Sequence, residues 1–164
     1  MAKRLLIIDN DPEVLNVMQE ALVYEGFEVK ILEETDGVFA VIADYQPDLI
    51  LIDYILNGIN GGETCHQIKA NPQTGHIPVI IVSAYSKVIL SLGNYGSDAF
   101  LAKPFGLTEL VQVVNDMLLV AHWFLWSHRL IDDCTDFSLI HHLFMGVFPN
   151  KPGPRYLLQF FVSM

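Results

Sequence analysis

A chain of 164 residues is long enough for one ordinary domain with something short attached. Hydrophobic residues make up 52% of it, so a substantial core can form without disulfide or metal staples. The formal net charge is −10, all of it in residues 1–120, which disfavours nonspecific nucleic-acid binding and suits a divalent cation.

In chain order, Arg4–Ile8 reads as a buried strand. Asp11 then offers an N-cap, Pro12 fits the first helical position, and Val14, Leu15, Met18, Ala21 and Leu22 recur at helical spacing. Gly26 is placed to end that helix. Glu28–Leu32 is a second strand, followed by a helix from Asp36 to Tyr45 that Pro47 closes. Leu49–Ile52 is a continuous apolar run, as a strand covered on both faces should be. A Gly- and Asn-rich loop, Asn57 to Gly62, leads to a short helix with Thr64, Cys65 and Ile68. Pro72 and Pro78 bracket the next connection, and Val79–Val82 is the fourth strand. Ser86–Leu92 reads as a weak helix, Ala99–Ala102 as a short fifth strand, and Leu107–Val120 as a last amphipathic helix. Five strands alternating with helices imply right-handed crossovers and an α/β, doubly wound, five-stranded parallel sheet with helices on both faces.

Cys65 and Cys134 show no metal-ligand spacing and read as reduced thiols of a cytoplasmic protein. The apolar run after Lys3-Arg4 stops at Asp9, too short for a signal-peptide core, and no stretch is apolar enough to span a bilayer.

The polar residues that interrupt this pattern carry the chemistry. Asp9 follows the first strand, Asp53 the third, Ser83 the fourth and Lys103 the fifth. All four stand at carboxyl ends of strands, where open parallel sheets bind ligands. Taken singly, an Asp after a strand is commonly a cap, and Lys-Pro commonly a turn. Four such residues at successive strand ends are harder to dismiss. Carboxylates gathered together repel unless a cation lies between them, so Asp9, Asp11 and Asp53 suggest a Mg²⁺ site of oxygen ligands. A Lys and a Ser hydroxyl opposite could hold a phosphoryl group.

The segments LLIIDNDPEV, PDLILIDYILNGINGGE, IPVIIVSAY and DAFLAKPF occur in the order and spacing of a known family. Across residues 3–120 the chain resembles the receiver domain of two-component response regulators, the CheY-like phosphoacceptor. The resemblance implies a flavodoxin-like strand order, 2-1-3-4-5. It implies Asp53 as the residue that takes a phosphoryl group from a histidine kinase or phosphotransfer protein, and a signalling protein rather than an enzyme. Asp9, Asn10, Asp53 and the main-chain carbonyl of Ile55 would be the Mg²⁺ ligands. Ser83 and Lys103 would contact the phosphoryl oxygens, Ser83 and Phe100 would form the switch, and the Lys103–Pro104 bond would be cis. A downstream protein partner would bind the fourth helix, fifth strand and fifth helix. A homodimer is also compatible with the family.

Several positions depart from the family pattern. Asn10 stands where a second acidic residue is expected, so metal affinity should fall; Asp11 could compensate only by facing the site. Asn57 replaces a proline, which should loosen its loop. Ile55 and Tyr85 are bulky where the family controls attack by water, which suggests slow dephosphorylation. The segment from Ser83 to Lys103 is short, so the fourth helix should be abbreviated.

Residues 1–120 are thus expected to form the receiver domain and 121–164 a C-terminal extension of unknown structure, with Met117–Trp126 able to prolong the last helix. The extension holds half of the aromatic residues and four of the six histidines, without metal-site spacing. It lacks a basic helix, so no DNA-binding output is expected in it. Phe137–Phe148 is a short apolar segment, Phe148–Pro154 a turn, and Tyr156–Val162 could be an edge strand. Two alternatives stay open: a degenerate receiver that binds partners without phosphorylation, and a haloacid-dehalogenase-type phosphohydrolase using Asp9 with Asp11 as acid/base.

Overall fold

In the computed structural model of the chain the described residues are 1–56, 59–84 and 95–131; for residues 59 and 121–131 the description is of backbone alone. Contacts divide the chain into Met1–Leu125 and Trp126–Met164, and the sheet belongs to the first unit. The elements are β1 (Arg4–Ile8), α1 (Pro12–Tyr24), β2 (Glu28–Leu32), α2 (Val38–Tyr45), β3 (Leu49–Asp53), β4 (Ile55–Leu56), β5 (Ile59–Asn60), α3 (Gly61–Ala70), β6 (Val79–Ser83), β7 (Ala99–Ala102) and α4 (Leu107–Ile131). The helix expected at 86–92, Asn57, Tyr85 and the elements expected beyond residue 131 lie outside the described residues.

The main sheet has the order β2-β1-β3-β6-β7, and every pair in it is parallel. Setting aside the β4–β5 hairpin, this is the expected order 2-1-3-4-5. Strand alternation decides which side chains meet which helices. Leu5, Ile7, Leu49, Leu51, Ile80 and Val82 pack with Leu15, Met18 and Leu22 of α1 and Leu110 and Val114 of α4. Leu6, Ile8, Ile50, Ile52, Val79 and Ile81 pack on the opposite face with Val38 and Ile42 of α2 and Cys65 and Ile68 of α3. Burying a Leu or Ile side chain completely stabilises by roughly 1.5–3 kcal/mol, so these two layers hold the sheet. Cys65 belongs to this core, and burial pushes its thiol up to about 12, which makes it inert at neutral pH.

The first helix starts and stops as its sequence demands. Asp11 accepts from the backbone N–H of Glu13 at 2.9 Å and of Val14 at 3.4 Å, with Pro12 just inside the helix. Gly26, at φ 89°, takes the left-handed conformation just past the end. Asp11→Ala is expected to cost about 1 kcal/mol by loss of the cap, read as a lower urea midpoint with unchanged m-value.

Three local expectations need correction. The second helix begins at Val38 rather than Asp36, because Gly37 at φ 73° stands at its N-cap. Asp53 and Ser83 are the last residues of their strands rather than the residues after them, since Asp53 pairs with Val82 and Ser83 with Ala102. The loop after Asp53 contains an antiparallel hairpin, with Ile55 opposite Asn60 and Leu56 opposite Ile59. Asn57-Gly58 is the dipeptide most suited to a two-residue hairpin connection, so the signal was present in the sequence.

Candidate functional site

Register brings the site together. Ile8 pairs with Ile52, Asp53 with Val82, and Ser83 with Ala102. Asp9, Asp53, Ser83 and Lys103 therefore arrive along one rim of the sheet, at the carboxyl ends of four neighbouring strands. Main-chain hydrogen bonds carry the ladder through the site: Asp9 N–H to the Leu32 carbonyl at 3.1 Å, Tyr54 N–H to Val82 at 2.9 Å, and Lys103 N–H to Ser83 at 2.9 Å. The Lys103–Pro104 bond is cis.

The Lys103 ammonium lies between the two aspartates. Its Nζ is 2.7 Å from Asp9 Oδ2 and 2.7 Å from Asp53 Oδ1. The second oxygen of each carboxylate accepts a backbone N–H: Asp11 donates to Asp9 Oδ1 at 3.0 Å and Ile55 to Asp53 Oδ2 at 2.9 Å. Asp9 is 2% exposed and Asp53 8%. Burial pushes the Asp53 carboxyl above the ordinary aspartate range; Lys103 pulls it down, Asp9 pushes it further up, and the Ile55 N–H opposes, leaving it raised. For Lys103 burial works to lower the ammonium, but the hydrogen bonds to Asp53 and Asp9 outweigh it and hold the group above its usual value.

The sequence-predicted site residues within the described residues do not have equal roles. Asp9, Asp53 and Lys103 are in direct contact. Ser83 is buried at the end of β6, and Phe100 of β7 is half-buried against the α2–α3 core. Ile55 opens the hairpin with its side chain 50% exposed. Asn10 is exposed next to Asp9. The Asp11 carboxylate caps α1 rather than meeting Lys103.

Among the described residues, no group of three or more His, Cys, Asp or Glu side chains is arranged to hold a metal. Mg²⁺ does not need three; it commonly uses one or two carboxylates and keeps several waters. Two adjacent buried carboxylates are the hard oxygen donors it prefers, so the donor set fits this ion.

Two features escape any reading of the sequence alone. A Cβ on Gly61 would collide with the Asp53 carbonyl oxygen, so α3 starts in backbone contact with the strand end that carries Asp53. The hydroxyl of Tyr54, the residue after Asp53, lies 3.2 Å from that of Tyr95. These partners are 41 residues apart, and nothing local links them.

The response regulator receiver domain family matches residues 5–115, and the chain belongs to that family. Its class is thus that of two-component signalling proteins. PhoB of Pseudomonas aeruginosa, a phosphate regulon transcriptional regulatory protein, is 34% identical over 120 residues, covering 72% of this chain and 52% of PhoB. The DNA-binding response regulator MtrA of Mycolicibacterium smegmatis is 30% identical over 121 residues, covering 72% of this chain and 51% of MtrA. The chain thus spans about half the length of the curated relatives it matches. Among solved structures, a CheY-like receiver domain protein from Methanospirillum hungatei is 28% identical with a TM-score of 0.66, over 74% of this chain and 98% of that one. TrrA of Thermotoga maritima, solved in complex with Mg²⁺–BeF, is 26% identical with a TM-score of 0.63, over 70% of this chain and 98% of its own. Among the described residues no helix is long and apolar enough to cross a membrane.

Proposed function

We propose that this chain is a phosphorylation-controlled signalling module in which Asp53 accepts a phosphoryl group from a histidine kinase or phosphotransfer protein. The observation that carries this reading is the Lys103 ammonium held 2.7 Å from both Asp9 and Asp53 at the carboxyl edge of the sheet. In the reaction an Asp53 carboxylate oxygen attacks phosphorus as the bond from phosphorus to the donor breaks, and the donor leaves with that electron pair. Lys103 is within reach to neutralise a phosphoryl oxygen while Asp9 keeps it in place. The Ile55 N–H orients the nucleophile by holding its second oxygen. Ser83, on the next strand, is the hydroxyl placed to follow the phosphoryl group, with Phe100 following it inward.

Asp9 and Asp53, joined by Asn10 and the Ile55 carbonyl, would hold Mg²⁺. When bound, the ion neutralises charge on the transferring group. Asn10 supplies an oxygen without a charge, so the ion is expected to bind more weakly than at a site with two acidic residues there.

Residues 1–120 are the receiver domain in this reading and 121–164 an extension whose first residues prolong α4, and the protein works in the cytoplasm. MtrA is DNA-binding by name, but residues 1–120 carry six basic against sixteen acidic side chains, so the partners inferred for this part are proteins. The surface around β7 and α4 is the face inferred for a downstream partner or a second copy.

The test is incubation of the full chain with Mg²⁺ and acetyl phosphate, followed by intact mass. One added phosphoryl group is expected, absent in Asp53→Asn and after chelation of the metal. Uptake by Asp53→Asn equal to wild type would remove Asp53 from this role. A wild-type chain that stays unmodified while binding its partner would instead leave the degenerate receiver.

A further inference from the structure

The contact between Tyr54 and Tyr95 lies outside the Asp9–Asp53–Lys103 cluster and has no part in the chemistry of that cluster alone. The two rings are tilted by 52° with centroids 5.9 Å apart, and the hydroxyls are 3.2 Å apart. Asn60, at the end of the hairpin, donates through Nδ2 to the Tyr95 hydroxyl at 3.5 Å, while its Oδ1 accepts from Gly62 N–H at 2.8 Å. The Tyr95 ring also covers Gly62: a Cβ there would come within 2.8 Å of Tyr95 Cδ2. Tyr95 itself has φ 52°, a left-handed conformation unusual for a tyrosine and kept only where surroundings hold it.

These contacts belong to a longer attachment. A Cβ on Gly96 would lie 3.4 Å from Lys69 Cβ in the last turn of α3, and Lys69 Nζ pairs with Asp98 at 2.9 Å. Residues 95–98 are therefore fastened to α3 at both of its ends, by Tyr95 at the first turn and by Lys69 at the last. They run directly into β7, whose next residue is Lys103. On the other side, Tyr54 follows Asp53, and Asn60 pairs across the hairpin with Ile55, whose N–H holds Asp53 Oδ2. The two tyrosine hydroxyls thus join the nucleophile's loop to the segment that delivers its lysine.

We propose that Tyr95, through its hydroxyl contact with Tyr54, is a positioning residue for phosphoryl transfer at Asp53. This rests on the reading of Asp53 as phosphoacceptor. In uptake, an Asp53 oxygen–phosphorus bond forms while the donor's phosphorus–oxygen bond breaks and acetate leaves. In loss, a water oxygen attacks phosphorus, the Asp53 oxygen–phosphorus bond breaks, and inorganic phosphate departs. Both steps need in-line geometry at phosphorus, which the hairpin sets by fixing the Asp53 carboxylate.

The experiment uses the full chain with Mg²⁺ and acetyl phosphate, comparing wild type with Tyr54→Phe, Tyr95→Phe and the double variant. Three quantities are read: the maximal uptake rate, the half-saturating donor concentration, and the first-order loss after donor removal. Each single variant is expected to slow both uptake and loss about five-fold, the factor expected for one hydrogen bond, with half-saturation unchanged. The double variant should be no slower than either single one, because both remove the same contact. The folded fraction of each variant is read by circular dichroism under the same conditions, and both rates are compared per folded molecule. Gly62→Ala keeps both hydroxyls but crowds the Tyr95 ring and Asn60 Oδ1 together, so it should slow both steps at least as much. Wild-type rates in both Phe variants, additive effects in the double variant, or faster loss would each overturn the proposal. If wild type takes up no phosphoryl group, the phosphoacceptor reading falls and this proposal with it; if wild type does and the tyrosine variants match it, only the proposal falls.

Discussion

Lys103→Met is expected to lower stability by roughly 2–3 kcal/mol at neutral pH, somewhat less than for a fully buried pair because the lysine side chain is 24% exposed. The substitution keeps the length and apolar stem of the side chain and removes only the ammonium. Asp9 and Asp53 would then face each other on a buried rim with no cation between them. The sign of the pH dependence follows from the direction of the Asp53 shift. Its carboxyl is already raised with Lys103 present, chiefly by burial, and it rises further when the opposing ammonium is gone. A group whose folded pKa lies above its unfolded value contributes stability at low pH and loses it as pH climbs through the folded pKa. The deficit of Lys103→Met should therefore be largest at neutral pH and shrink as the solution is acidified through that raised value. Lys103 itself, also raised, keeps its proton throughout this window, so its contribution changes only as the carboxylate it faces gains one. Urea unfolding of both proteins from neutral pH down to about pH 5 reads this directly. A deficit that stays constant, or that grows on acidification, would show that packing of the lysine stem rather than charge accounts for the loss. Uptake from acetyl phosphate should fall as well, because no ammonium would remain to meet the phosphoryl oxygens.

Gly61→Ala should be the second severe change, at about 2–3 kcal/mol. The added methyl would run into the Asp53 carbonyl oxygen and lie 3.3 Å from Ile52 Cγ1. A flexible side chain could swing away, but these are the backbone and core of the central strand. The Gly61 N–H also donates to the Tyr54 carbonyl at 2.9 Å, so displacing α3 would break that bond too. Asp53 moves with its carbonyl, so the folded fraction should also take up phosphoryl groups more slowly. Gly106→Ala is the matched comparison, since nothing lies within 4 Å of its added Cβ, and it should stay within about 0.5 kcal/mol of wild type. Equal unfolding midpoints for the two variants would refute the close-approach account.

Much of the fold was legible because its signals are local. The apolar runs at Leu5–Ile8, Leu49–Ile52 and Val79–Val82 are long enough for strands and too short for helices. Asp11, Pro12 and Gly26 mark the limits of α1 by chemistry that acts over a few residues. The hairpin after Asp53 is not legible from periodicity although Asn57-Gly58 suits one, because flanking strands of two residues are too short to show alternation. Ser83 and Asp53 show a similar limit: a polar residue ending an apolar run reads as loop, while pairing with Ala102 and Val82 keeps it in the ladder.

The candidate site divides along the same line. Asp9, Asp53, Ser83 and Lys103 could be named from sequence because each interrupts or ends an apolar run at the same end of its strand, and a parallel sheet brings such ends together. Sequence alone also determined the acidic balance, the five strands of the main sheet and the loss of one charge at Asn10, while their order came from the family resemblance. Only the tertiary structure decided which charges pair. It set Lys103 between two aspartates and left the Asp53 carboxyl raised, since burial and separations of a few ångströms arise only once distant strands share a register. The same holds for Gly61 beneath Asp53 and for Tyr54 against Tyr95. Contacts between residues far apart in the chain leave no periodicity to read, and only the folded backbone brings them within reach.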